Sequence, residues 1–134
     1  MAHHIRWLVE DRILLAEICG HQTEQSLKTW MDDLAEAFGT CRRPFAVLID
    51  WDGVTECDLK ALLNMRGHPV HSHAMLARTV LVGMDALARF EYEIAAVKTR
   101  DLKITQYCDT MDEAMTYLDD MLMMQLGLSI PYFS

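Results

Sequence analysis

Several signatures are missing from the sequence, and each absence narrows its chemistry. The four cysteines, Cys19, Cys41, Cys57 and Cys108, are scattered and form no CxxC pair. With no apolar centre in MAHHIRW to act as a secretory signal, they read as reduced thiols in a cytoplasm rather than as a disulfide framework. No run of about 18 apolar residues occurs, so no segment reads as membrane-spanning. No basic cluster occurs either. Lys and Arg number 12 against 20 Asp and Glu, for a formal net charge of −8, and such a chain repels phosphate backbones, which argues against nucleic acid as a partner. The same field disfavours anionic membrane and leaves apolar insertion as the route to peripheral contact. Neither GxxxxGK[ST] nor GxGxxG is present, so a nucleotide site has no motif behind it. There is no internal repeat, low-complexity segment or linker.

What is there suits one domain over residues 1–134, long enough to bury a real core. Hydrophobic residues make up 51% and charged residues 24%, ordinary for a globular chain. After a short ragged start at 1–4, residues 5–19 split at Glu10-Asp11 into two β-like runs, a hairpin closed by Gly20. His21 falls at a helix entry. From Thr23 to Phe38 the period becomes helical, with Leu27, Trp30, Met31, Leu34 and Phe38 on one side and Gly39 at the C-cap. FAVLID at 45–50 suits a strand covered on both faces.

The spacing then predicts a helix over 56–66, ended by Gly67 and Pro69, and an ambiguous interval at 70–77. TVLVGM at 79–84 reads as a strand. Asp85 caps a helix to Lys98 with Leu87, Phe90, Ile94 and Val97 inward. KITQY at 103–107 reads as the last strand. Thr110 and Glu113 form a capping box for a helix over 111–125, with Ala114, Tyr117, Leu118 and Met121 inward. The order ββαβαβαβα implies an α/β domain with a five-stranded, mostly parallel sheet, an N-terminal hairpin and helices on the sheet faces.

Three stretches, AEICGHQTEQSLKTWMDDL, FAVLIDWDGV and ITQYCDTMDEAMTYL, together with this order, give a pattern that resembles the STAS domain, and within it the SpoIIAA-like small bacterial proteins. The likeness spans about residues 5–122. It implies a regulatory, non-enzymatic module that binds a protein partner or a small apolar, lipid-like ligand. In the anti-sigma-factor antagonists of this superfamily, the loop after the central strand carries a phosphorylated serine. Here Cys57-Asp58-Leu59 stands at that place, the serine and its following glycine are missing, and Thr55 is a weak substitute flanked by Glu56. Partner switching by phosphorylation is thus the alternative reading.

The candidate switch loop comprises Asp50, Asp52, Thr55, Cys57 and Asp58. Carboxylates at a strand's C-terminal end often meet ligands and can hold Mg²⁺ or move protons. The bland reading also explains every residue: Thr55 caps the next helix by accepting from Asp58 N–H, and Asp52-Gly53 is turn chemistry. Cys57 at a helix N-terminus would gain reactivity, but no base is paired with it and its acidic neighbours oppose ionisation. His68, His71 and His73 match no common zinc spacing and read as a solvated loop. No catalytic residue, metal or cofactor is assigned. Ten methionines are the unusual feature. Met65, Met75 and Met84, with Trp51, would line an apolar-ligand pocket beneath 64–77 or fill the core. The apolar tail, 122–134, suits core packing or a homodimer.

Overall fold

The computed structural model describes residues 2–124. Strands β1 (Ala2–Val9), β2 (Ile13–Gln22), β3 (Phe45–Cys57), β4 (Leu76–Val82) and β5 (Thr105–Cys108) form one sheet in sequential order. β1 and β2 are an antiparallel hairpin, and every later pairing is parallel. Four helices accompany them: α1 (Glu24–Phe38), α2 (Ala86–Ala95), α3 (Arg100–Ile104) and α4 (Met111–Met124). The five-stranded α/β architecture is the expected one.

The central run is covered on both faces because alternate residues enter different cores. Val47, Ile49 and Trp51 of β3 join Leu14, Ala16 and Ile18 of β2 under α1 and α2. Ala46 and Leu48 join Ile13, Leu15, Val80 and Val82 under α4, which contributes Ala114, Leu118 and Met121. The inward side of α1 is as expected, with Leu27, Trp30, Met31, Leu34 and Phe38 all buried. Thr23 caps it: its Oγ1 accepts from Ser26 N–H at 3.1 Å, and its own N–H donates to Ser26 Oγ at 2.8 Å. Gly39 takes the C-cap in a right-handed conformation.

Several expectations need correction. The ragged start belongs to β1 from Ala2. β2 runs past Gly20 to Gln22, so His21 lies in a strand. No helix forms over 56–66. β3 continues instead to Cys57, because the prolonged β2 pairs with it through Gly20↔Val54, His21↔Glu56 and Gln22↔Cys57. Asp58 N–H donates to Gln22 O at 2.8 Å, not to Thr55, so Thr55 caps nothing. Gly53 pairs with Cys19 inside the sheet, so Asp52-Gly53 is no turn. Lys60 at φ +67 breaks the helix-like LKALL, and the chain crosses to β4 through two single 3₁₀ turns, Leu63–Met65 and Pro69–His71. Backbone pairing has overridden local propensity.

The inward face of α2 also differs. Ala88, Glu91, Tyr92 and Ala95 are buried, whereas Leu87 and Phe90 are 58% and 61% exposed and Val97 is exposed. The phase is fixed by Tyr92, whose hydroxyl donates to Asp101. Asp101, 1% exposed, also accepts from Thr79 Oγ1 at 2.6 Å and from His71 Nδ1 at 3.0 Å. One carboxylate therefore ties β4, α2, α3 and the second 3₁₀ turn together. Burial, then the Asp101 charge, pushes the Tyr92 phenol well above its ordinary value. The expected strand 103–107 splits into α3 and a shorter β5. The apolar tail lies outside the described residues beyond the backbone at Met124. Among the described residues, no helix is long and apolar enough to cross a membrane.

Candidate functional site

Where β3 ends, its last residues meet the first turn of α2 and leave an open cleft of about 110 Å³. Clefts at the C-terminal ends of parallel strands are the usual ligand positions in open α/β sheets. Trp51, Val54, Thr55, Glu56 and Cys57 come from β3, Leu62 from the crossover, and Asp85, Leu87, Ala88 and Glu91 from the start of α2. Asp85 caps that helix, its Oδ1 accepting from Ala88 N–H at 2.8 Å. Gly83 permits the close approach before it. It sits at φ +82, and a side chain there would bring its first carbon to 2.9 Å from Asp52 Cα.

The interior of the cleft is part apolar and part anionic. Trp51 and Leu62 are buried core residues that reach it from below. Glu91 is 8% exposed, and its Oε1 is buried with no hydrogen-bond partner among the described residues. Burial first, then the charges of Glu91, Asp58 and Asp85, push the Cys57 thiol up to about 11. It is therefore a neutral lining group at ordinary pH and not an activated nucleophile. Leu87 lines the cleft and is exposed, and Phe90, also exposed, follows one turn later on α2. Leu59, two residues past Cys57 in the chain, is 75% exposed.

On β2 and β3, His21 stands beside Glu56 and reaches Asp58. Its Nε2 bonds Asp58 Oδ1 and lies 3.5 Å from Glu56 Oε2. The alignment comes from a bulge after Gly20, where the register moves from Gly20↔Val54 to His21↔Glu56; Gly20 adopts φ +80 there. Such a bulge re-aims side chains. The hydrogen bond and charge of Asp58, with Glu56, raise the His21 pKa. The three ligand atoms lie within 4.8 Å of one another, close enough to share a divalent cation, though an imidazole between two carboxylates also satisfies itself.

The candidate switch residues are thus divided. Thr55 and Cys57 line the cleft, joined there by Trp51, expected as an apolar-ligand residue, and Asp58 turns to His21. Asp50 lines a separate hollow with His4, Glu17 and Gly53, and its Oδ1 accepts from Asp52 N–H at 3.1 Å. Met65 and Met84 are core residues, and Met75 packs half-buried against the same core. The cavity under Val70 and Leu76 measures about 10 Å³, room for one water rather than an acyl chain. The three histidines go to three places, and none is a solvated loop group. His68 Nε2 bonds Asp32 Oδ1 at 2.7 Å, and His71 is fully buried on Asp101. His73 packs its ring on Phe38 and Phe45. Sequence reasoning missed Glu91, which the expected helix phase turned outward, and the His71–Asp101 contact, which spans 30 positions.

No family model matches the sequence, and no curated protein matches it. Solved structures do match in fold. An uncharacterized protein with a SpoIIAA-like fold from Shewanella loihica PV-4 superposes with a TM-score of 0.59 at 18% identity, covering 87% of this chain and 92% of its own. The unphosphorylated anti-sigma factor antagonist SpoIIAA gives 0.56 at 12% identity over 87% and 96%. The phosphorylated form of SpoIIAA, a Bacillus cell fate determinant, gives 0.55 at 12% over 87% and 99%. At these identities the likeness speaks for architecture.

Proposed function

Because the chain has the SpoIIAA-like fold of STAS domains, we propose that it is a non-enzymatic binding module that docks a protein partner at the cleft between β3 and α2. The observation that carries this reading is exposed apolar surface on α2 at the cleft: Leu87 lines it, Phe90 lies three residues on along the same helix, and both are more than half exposed. Exposed apolar surface rimmed by polar groups marks interaction sites more often than chance exposure. A solved structure of the same fold is, by its description, an anti-sigma factor antagonist, and a partner-binding role suits that company. The protonated state of Cys57 supports a binding rather than a catalytic role. The small cavity under Val70 and Leu76 favours a protein partner over a lipid-like ligand, and the module would act in the cytoplasm.

A phosphorylation-regulated version would need Thr55 as acceptor. Thr55 lies in β3 next to Glu56, with no helix N-terminus beginning at its own position to stabilise added charge. A phosphate mapped to Thr55 in protein isolated from its own cells would favour that version.

The docking reading is tested with a photoreactive phenylalanine at position 90, and a control at exposed position 116 on α4. A single protein crosslinked from 90 and not from 116, and binding again when purified, is the expected result. Equal crosslinking from both positions would defeat it.

A further inference from the structure

We infer that the cleft between β3 and α2 selects a cationic side chain, an arginine or lysine of the docked protein, with Glu91 as its acceptor. The inference rests on the docking reading above and adds the chemistry of recognition.

Glu91 is the starting point. A carboxylate more than nine-tenths buried ordinarily has its oxygens satisfied, because an unpaired buried charge costs far more than a paired one. Glu91 Oε1 has no partner among the described residues, and its side chain lines an open cleft. Oε1 itself is closed to solvent, so a donor entering the cleft reaches it with a turn of the Glu91 side chain toward the opening. Asp85 and Glu56 line the same space; Glu56 has His21 3.5 Å away outside the cleft, and the described lining itself contains no lysine, arginine or histidine. The field they set up registers on Cys57, which Glu91 and Asp85 help to hold protonated.

The rest of the lining suits the stem of such a group. Trp51, Leu62 and Ala88 offer apolar surface for methylenes, and long basic side chains bury their stems while their heads seek polar partners. An aromatic lining residue is also favourable to a cation. The cleft holds about 110 Å³, enough for a head group and its adjoining methylenes but not for a folded peptide. The exposed Leu87 and Phe90 would hold the residues on either side of the basic one. This apolar rim is the reason for assigning the cation to a protein and not to a free amine.

The test uses the full chain, ¹⁵N-labelled, titrated with two capped tripeptides, Leu-Arg-Leu and its citrulline counterpart, which keeps the shape and removes the charge. Glu91→Gln is run in parallel, with amide dispersion as the check that it folds. Should that variant fail to fold, the salt dependence of the arginine peptide on the unaltered chain replaces it. The expected result is cleft-centred shifts at Val54, Cys57 and Ala88 with the arginine peptide. Binding should weaken about tenfold or more for citrulline, as loss of a charge-assisted hydrogen bond implies, and the difference should vanish in Glu91→Gln. Equal binding of the two peptides at the cleft would overturn the cation assignment while leaving docking intact. Free arginine binding as tightly as the peptide would overturn the assignment to a protein. Shifts absent from the cleft with either peptide would overturn both readings.

Discussion

Tyr92 donates its hydroxyl to Asp101, and both residues are buried. That bond sets which face of α2 turns inward, and so which residues α2 offers to the cleft. Glu91, next to Tyr92, is drawn under the helix, and Leu87 and Phe90 are left outside.

Tyr92→Phe removes one donor from a buried carboxylate while keeping the ring. The expected loss is about 1–3 kcal/mol, read from urea unfolding as a lowered midpoint with an unchanged slope. The raised Tyr92 pKa has a definite sign. The unfolded phenol ionises first, so this stabilisation is complete below pH 10 and is lost as pH rises toward the folded value. Tyr92→Phe should therefore be less sensitive to alkali than the parent.

Gly83→Ala forces a side chain into a left-handed backbone position against Asp52 Cα. A cost of about 1–3 kcal/mol is expected from the conformation alone, with the contact adding to it. Thermal melting checks this, and an unchanged melting temperature would contradict the geometry.

His21 is held by Asp58 and Glu56, which raise its pKa above the ordinary 6.5. Its contribution to stability is fully present below pH 6.5 and is lost as pH rises through the folded value. Imidazole resonances followed by NMR should titrate above 6.5 in the parent and fall back toward it in Asp58→Asn.

Cys57, pushed up to about 11, should alkylate slowly at neutral pH, behind the exposed Cys19. Its rate should climb about tenfold per pH unit toward the folded pKa. Glu91→Gln removes a contributor to that shift and should speed the reaction, as peptide mass spectrometry would show.

Much of the architecture was legible in the sequence because it rests on strong local patterns. The α1 stripe from Leu27 to Phe38 and the FAVLI run admit one reading each. The segment after Asp50 did not, since LKALL is helix-like on its own and only long-range pairing with Gly20–Gln22 keeps β3 extended. The phase of α2 was ambiguous because Leu87, Phe90, Ile94 and Val97 make as regular a stripe as Ala88, Tyr92 and Ala95. The choice falls to Asp101, beyond the helix. The site was half legible for the same reason. Trp51, Thr55 and Cys57 sit on a strand whose end was expected to matter, whereas Glu91 could be found only once the helix phase was known.

The most direct measurement is the affinity of the partner captured from position 90 for Leu87→Ser/Phe90→Ser, set against Thr116→Ala on α4. Both variants change exposed positions and should fold as the parent does. The account predicts that the cleft variant binds at least about tenfold more weakly while the α4 variant binds as the parent. Undiminished binding by the cleft variant, with loss in the α4 variant, would contradict it.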